Sequence, residues 1–184
     1  MSTAAIVYRS ATGTTRRLAE EIGSHLESRG IATTVQSVGD CDPASLARFD
    51  IVLLGCWTSG LFVIRQHPDL PWTSFVHDVP SLGDAKVGLF TTYRIATGSM
   101  FSRMRAALAT RTGRIGLEIK SRDGHLADAG RLALDRFIGA VERLPRSIPA
   151  TRRRSAACSM GTGAGSPNRM STWPSARGLP PSPR

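Results

Sequence analysis

The stretch that decides the fold is Ile6-Val7-Tyr8-Arg9-Ser10-Ala11-Thr12-Gly13-Thr14-Thr15-Arg16-Arg17-Leu18. Its first three residues are β-branched or aromatic, which is typical of a β-strand. From Leu18 onward the apolar residues recur at Ile22 and Leu26, the spacing of one face of a helix. Between strand and helix lies a turn rich in hydroxyl groups. The stretch therefore predicts a strand, a polar turn and a helix in direct succession.

The polar turn predicts an anion-binding site. Its hydroxyls, its backbone N–H groups and the positive end of the helix dipole converge, and a phosphate satisfies such donors. Arg16 and Arg17 lie in the first helical turn, where each opposes the dipole by roughly 0.3–1 kcal/mol, a conflict that a bound anion removes. The alternative is an ordinary strand-to-helix turn capped by threonine. The candidate anion-binding residues are Ser10, Thr12, Gly13, Thr14 and Thr15.

Strand and helix patterns alternate through the rest of residues 1–144. The further predicted strands are residues 31–38, 50–57, 86–92 and 115–119. The third strand, residues 50–57, is nearly all apolar, as in a parallel strand buried on both faces, whereas the mixed second strand suits a sheet edge. Five helices are predicted. The first follows the polar turn and ends at Gly30, the second spans 44–49, and the third begins near Pro71. The fourth covers 100–108, and the fifth begins at Asp128, which is predicted to cap it. The pattern predicts a three-layer α/β/α sandwich around a five-stranded parallel sheet.

The charge of the chain is unevenly distributed. The formal net charge is +10, yet residues 1–144 hold 17 basic and 14 acidic side chains, whereas residues 145–184 hold seven arginines and no acid. That second segment is rich in Arg, Ser, Pro and Gly, has no apolar periodicity, and is predicted to be disordered. With one aromatic residue and no lysine, it is interpreted as a solvated extension, without a prediction of nucleic-acid binding.

The cysteine content and the apolar runs of the sequence indicate the expected cellular location. Three cysteines at unrelated spacings predict neither a metal site nor a disulfide framework. We find no signal-peptide pattern and no apolar run near the ~20 residues that a membrane span needs. The expected location is therefore the cytoplasm.

The predicted sheet indicates where a ligand would bind. Parallel sheets bind ligands at the carboxyl ends of their strands, where the strand order reverses. For the strand order 2-1-3-4-5, the loops at that point are residues 9–15, 57–67 and 91–99. All three are rich in Gly, Thr, Ser and aromatic residues.

Residues 4–143 resemble the flavodoxin family, whose Ser-x-Thr-Gly-x-Thr loop holds the phosphate of FMN. Leu54-Gly55-Cys56-Trp57-Thr58-Ser59-Gly60 resembles the first loop that flanks the flavin, and Thr91-Thr92-Tyr93-Arg94-Ile95-Ala96-Thr97-Gly98 the second. The resemblance implies an FMN-binding protein that carries electrons. It implies aromatic stacking on the flavin ring by Trp57 and Tyr93. The further implied cofactor-binding residues are Thr58, Ser59, Gly60, Thr92 and Gly98. The short segment 121–126 implies the short-chain form.

Two departures from the family pattern leave alternatives open. Ser59 stands where the family's stacking aromatic is usual, with Trp57 two residues earlier. The core is also basic, whereas flavodoxins that shuttle electrons are typically acidic, which suggests an acidic redox partner or a role other than free shuttling. The chain could instead be an NAD(P)H-dependent FMN or quinone reductase, or a flavodoxin-fold binding module that has lost the flavin.

The catalytic prospects of the side chains are limited. The four histidines are scattered and pair with no Ser or Cys at a telling spacing, so no catalytic residue is predicted. This pattern favours an electron-transfer flavoprotein over a stand-alone enzyme. A receiver-type signalling module of the same topology would need an acidic cluster after the first strand, where the chain has Arg9 and Ser10 instead.

Overall fold

The structure, a computed structural model, describes residues 1–58 and 67–142, the last three by their backbone only. Five strands alternate with four α-helices and one short 3-10 helix. The strands are β1 (Thr3–Arg9), β2 (Ala32–Ser37), β3 (Ile51–Trp57), β4 (Lys86–Thr92) and β5 (Ile115–Ser121). The helices are α1 (Thr14–Ser28), α2 (Leu70–Asp78), α3 (Met100–Leu108) and α4 (Asp128–Glu142), with the 3-10 helix at Pro43–Arg48.

The strands form one parallel sheet in the order β2-β1-β3-β4-β5. The predicted fold class and strand order are thus confirmed. The carboxyl ends of β3 and β4 are in register, with Trp57 opposite Thr92, and Thr92 in turn lies opposite Ser121 of β5. The three predicted ligand loops therefore leave the sheet at the same edge.

Two apolar clusters pack on the two faces of the sheet and create the three layers. One cluster joins the sheet to α2, α3 and the 3-10 helix, with Trp72 and Met104 among its buried members. The other joins the sheet to α1 and α4 through residues such as Leu18 and Leu134. Strand β3 contributes to both, since Leu54 lies in the first and Leu53 in the second. The nearly all-apolar sequence of β3 therefore reflects burial on both faces of the sheet, as predicted.

Helix boundaries follow local chemistry, with one correction. Helix α1 ends before Gly30, which has φ +77° as its predicted terminal role requires. The prediction that Asp128 caps the last helix is wrong. Asp128 is the first helical residue, and the carbonyl of Ala127 accepts the first helical bond, from the N–H of Arg131 at 3.0 Å. An acid there still favours the positive end of the helix dipole.

Strand β5 is continuous and only six residues separate it from α4, which agrees with the short-chain form. Within residues 1–58 and 67–142, no helix is both long and apolar enough to cross a membrane. The predicted disordered segment, residues 145–184, lies outside the described residues, so the domain boundary stays a prediction.

Candidate functional site

The turn between β1 and α1 presents backbone donors without a side-chain cap. Gly13 occupies the N-cap position with φ +85°, a left-handed conformation that glycine adopts at least cost. No side chain caps the helix at this position, and its first turn contains no acid. The hydroxyls of Thr12 and Thr14 lie 3.2 Å apart on either side of Gly13. The alternative interpretation, a turn capped by threonine, is therefore not observed: glycine occupies the cap position, and the first N–H groups of α1 remain available to an anion.

Two further hydroxyls of the turn are buried in different ways. Ser10 Oγ is inaccessible to solvent and has no hydrogen-bond partner among the described residues. Thr15 Oγ1 lies 2.7 Å from Thr92 Oγ1, so this pair joins α1 to the end of β4. In such a pair one hydroxyl donates to the other, and the acceptor keeps its own proton to donate elsewhere. The predicted phosphate loop and the predicted ring loop are thus in direct contact.

The two arginines of the first helical turn differ in their partners. Arg16 Nε donates to Glu20 Oε1 at 2.7 Å, an i,i+4 ion pair on the exposed face of α1. Arg17 is exposed and has no ion pair within the described part of the chain. The conflict with the helix dipole therefore centres on Arg17.

The loop between β5 and α4 packs against the start of α1, a contact that sequence reasoning missed. Gly124 has φ +87°, and a Cβ built there would lie 2.6 Å from the carbonyl oxygen of Thr14. Ser121 Oγ accepts the Gly124 N–H at 3.0 Å and donates within the loop. The Asp-Gly pair at 123–124 signals a turn in sequence, but nothing in its spacing indicates the partner.

Glu21 of α1 binds the β5–α4 loop through its carboxylate. Its carboxylate accepts the Leu126 N–H at 2.7 Å and lies 2.6 Å from His125 Nδ1. The hydrogen bond from the Leu126 backbone, reinforced by His125, holds the pKa of Glu21 below its ordinary value. The ionised carboxylate therefore fixes the β5–α4 loop beside the hydroxyl turn.

A threonine network joins the carboxyl ends of β3 and β4. The Thr58 N–H donates to the Thr92 carbonyl at 2.9 Å, and the Thr58 and Thr91 hydroxyls lie 3.2 Å apart. Thr91 Oγ1 also donates to the Cys56 carbonyl at 2.7 Å. Thr58 and Thr92 are thus brought together, whereas the predicted site residues Ser59 and Gly60 lie outside the described residues.

The two predicted stacking aromatics lie on adjacent strand ends. Trp57 is half-buried against the α2–α3 cluster, and its indole N–H is inaccessible without a partner in the described chain. Tyr93 is half-buried directly after β4, and Gly98 has φ +42° in the same loop. Trp72 Nε1 is also an unpartnered donor within the described chain, but Trp72 is wholly buried in the core between α2 and the sheet.

An ion pair that the sequence did not predict anchors the far end of the β3–α2 connection. Arg9 Nε donates to Asp69 Oδ2 at 2.9 Å, and the Asp69 N–H donates to Cys56 Sγ at 3.4 Å. Burial raises the pKa of the Cys56 thiol to about 12, so this sulfur is protonated at neutral pH. Arg9 and Asp69 lie 60 residues apart, with no pattern linking them.

Comparisons with known proteins show which family this chain resembles. A family model described as flavodoxin matches residues 6–128. A flavodoxin of Megasphaera elsdenii is 32% identical over 93 residues, which are 50% of this chain and 66% of that one, just under two thirds.

Solved structures share the fold at low identity. The solution structure of two-electron reduced Megasphaera elsdenii flavodoxin has a TM-score of 0.60 and 20% identity, and covers 74% of this chain and 98% of that one. A short-chain flavodoxin associated with a non-canonical PDU bacterial microcompartment has a TM-score of 0.59 and 17% identity, covering 77% and 98%. Since the family model spans more than half of the sequence, this chain belongs to the flavodoxin family.

Proposed function

We propose that this protein binds FMN at the carboxyl ends of β1, β3 and β4 and carries electrons through the bound flavin. Family membership implies a flavin cofactor and electron transfer to redox partners. The identity of the flavin as FMN, and its place on this chain, are the parts that we add.

The observation that carries the proposal is the uncapped start of α1. Gly13 leaves the first N–H groups of the helix without a side-chain acceptor, and Ser10 Oγ is buried with no partner among the described residues. A buried unpaired hydroxyl costs roughly 1–3 kcal/mol, and a phosphate oxygen would supply the missing partner. The residues present therefore fit a phosphate monoester, with Thr12 and Thr14 as further donors.

The flavin ring would lie between the loops that follow β3 and β4. Trp57 and Tyr93 offer aromatic faces there, and Thr58, Thr92 and Gly98 offer polar groups or open backbone at its edge. Ser59 and Gly60 complete this proposed set. The Thr15–Thr92 hydrogen bond supports one continuous site, because it joins the phosphate turn to the ring loops.

The chain's own groups bind and orient the cofactor and limit its access to water. The flavin supplies the redox chemistry when bound, and the protein tunes it through contacts with the ring. Hydroxyl donors at the helix start select for the phosphate, so the site should prefer FMN to riboflavin. The half-buried aromatics exclude water from part of the ring.

The test is a pair of fluorescence-quenching titrations of the apoprotein, one with FMN and one with riboflavin. We expect about one FMN per chain and clearly weaker binding of riboflavin. A protein that is colourless as purified and binds neither ligand would contradict the proposal. Equal affinities would instead show that the hydroxyl turn does not hold the phosphate.

A further inference from the structure

Exposed basic side chains lie at and beside the carboxyl-terminal halves of β4 and β5, and we call this set the basic corner. They come from the β4–α3 loop, from α3, and from the end of β5 and the residue after it: Arg94, Arg103, Arg105, Lys120 and Arg122. Arg105 Nε pairs with Glu118 Oε1 at 3.1 Å. Arg94 and Arg122 have no ion pair within residues 1–58 and 67–142, so their charges are directed to solvent or to a partner.

Backbone geometry brings Arg94 and Arg122 together. Thr92 and Ser121 are opposite each other in the sheet, and the Tyr93 N–H still donates to the Ser121 carbonyl at 3.1 Å. Each arginine follows this bonded pair by one residue. Two arginines without an ion pair in the described residues therefore follow adjacent strands at the same level of the sheet.

The carboxylates near the corner do not cancel its charge. Glu118 is engaged by Arg105, and Asp123 accepts hydrogen bonds from Ser121 Oγ at 3.0 Å and from the His125 N–H at 3.1 Å. The two acids face five basic groups, which leaves a positive excess. Such a local excess steers an oppositely charged partner during diffusional encounter.

An exposed apolar side chain lies within the basic corner. Ile95 follows Arg94 in the β4–α3 loop and is 59% exposed, one of the few large apolar residues on the described surface. A single exposed isoleucine needs no explanation by itself. An apolar contact ringed by charged groups, however, is the anatomy of a protein-docking patch.

We infer that the basic corner, with Ile95 inside it, is the docking surface for a redox protein whose own redox centre is surrounded by acidic side chains. The inference rests on the proposed function, because the corner includes the loop proposed to hold the flavin ring. Docking there brings the two redox centres together. In each productive encounter one electron passes from the reduced flavin to the oxidised centre of the partner, and no covalent bond forms or breaks.

A matched pair of probes tests the sign of the charge. Native mitochondrial cytochrome c has a basic surface, and succinylation of its lysines makes the same haem protein acidic. The full-length holoprotein is reduced, and the second-order rate of cytochrome reduction is measured between low and high ionic strength. We expect the acidic form to react faster at low salt and to slow as salt rises, with the opposite trend for the native form.

Charge-reversal variants test the location. Arg94→Glu/Arg122→Glu should lower the low-salt rate with succinylated cytochrome c by about fivefold or more. Arg114→Glu/Arg136→Glu makes the same change in net charge at exposed positions away from the corner, and should lower it far less. Ile95→Ser should lower the rate without altering its salt dependence.

A binding readout separates this inference from the proposed function. The salt-dependent affinity of succinylated cytochrome c for the apoprotein requires no flavin, and the corner variants should weaken it. Equal effects of the two double variants would overturn the docking surface while leaving FMN binding intact. The assignment of the docking surface would also be overturned if the corner variants weakened binding to a DNA duplex and left cytochrome binding unchanged. Failure to bind FMN would reject the proposed function and the electron transfer that rests on it, but not the charge-dependent docking measured with the apoprotein.

Discussion

The two ends of the proposed site are built differently. At the helix end of the hydroxyl turn, Gly124 lies close to the Thr14 carbonyl, Glu21 fixes the β5–α4 loop, and Thr15 bonds to Thr92, so neighbouring elements support Thr14 and Thr15. In the β4–α3 loop, Arg94 and Ile95 are exposed. The difference teaches that a ligand requires a rigid, preorganised set of donors, whereas a transient partner requires accessible charge and apolar surface.

The sharpest way to break the supported end is Gly124→Ala. The new Cβ would meet the Thr14 carbonyl at 2.6 Å, in a backbone conformation that also strains any residue other than glycine. We expect a loss of stability of roughly 3 kcal/mol or more, with weaker FMN binding. Gly30→Ala is the matched control, since Gly30 has a similar positive φ but open space around it, and should cost about 1 kcal/mol. Equal losses in chemical denaturation would mean that the close approach is unimportant.

Thr12→Ala separates phosphate binding from ring binding. Removal of a hydroxyl that donates to a charged oxygen should cost roughly 1.5–3 kcal/mol in FMN affinity and leave riboflavin affinity unchanged. Thr58→Ala, at the ring end, should lower the two affinities equally. Isothermal titration with both ligands decides the matter. If Thr12→Ala weakens both ligands alike, the defect lies in the fold.

The aromatic residues sharpen the description of the ring end. Trp57→Ala and Tyr93→Ala should each weaken FMN and riboflavin equally, by roughly 0.5–1.5 kcal/mol beyond the lost burial, and should shift the reduction potentials of the bound flavin. Tyr93→Phe keeps the aromatic face and serves as the control. Unchanged spectra and potentials in both alanine variants would remove these residues from the site.

The smallest effect concerns acid stability at the supported end. Because folding lowers the pKa of Glu21, its contribution is complete above the ordinary pKa of about 4.5 and is lost as the pH falls through the lowered value. The melting temperature of Glu21→Gln should therefore be lower than wild type at pH 7, and the gap should narrow near pH 3. Glu27→Gln, at an exposed position on the same helix, should show no such narrowing. A gap independent of pH would contradict a role for the charge.

Sequence reasoning captured what depends on short-range patterns. The apolar run of β3, the hydroxyl turn and the helix spacing from Leu18 all reflect neighbours in the chain, and they sufficed to predict the fold and to indicate the edge of the sheet where we propose the site. The ion pair of Arg16 and Glu20 also reflects a short-range pattern, their i,i+4 spacing on a helix.

Contacts between residues far apart in the chain could not be predicted from the sequence. Gly124 meets Thr14, and Arg9 meets Asp69, only because the sheet order brings distant loops to one edge. No periodicity encodes such pairings. The roles of Trp57 and Tyr93 stay predictions, since their half-buried positions suit both core packing and ring contact.

The buried Cys56 thiol, which accepts a hydrogen bond from the Asp69 N–H, makes local opening of this protein measurable. The thiolate, not the thiol, reacts with thiol reagents as the nucleophile, yet Cys56 is buried and its pKa is about 12, so the closed state is inert toward them. Modification of this sulfur therefore requires the structure around the end of β3 to open. The rate of labelling, followed by mass spectrometry of the Cys56 peptide, then measures how often that edge opens. A ligand bound across the edge would slow the labelling in proportion to its occupancy.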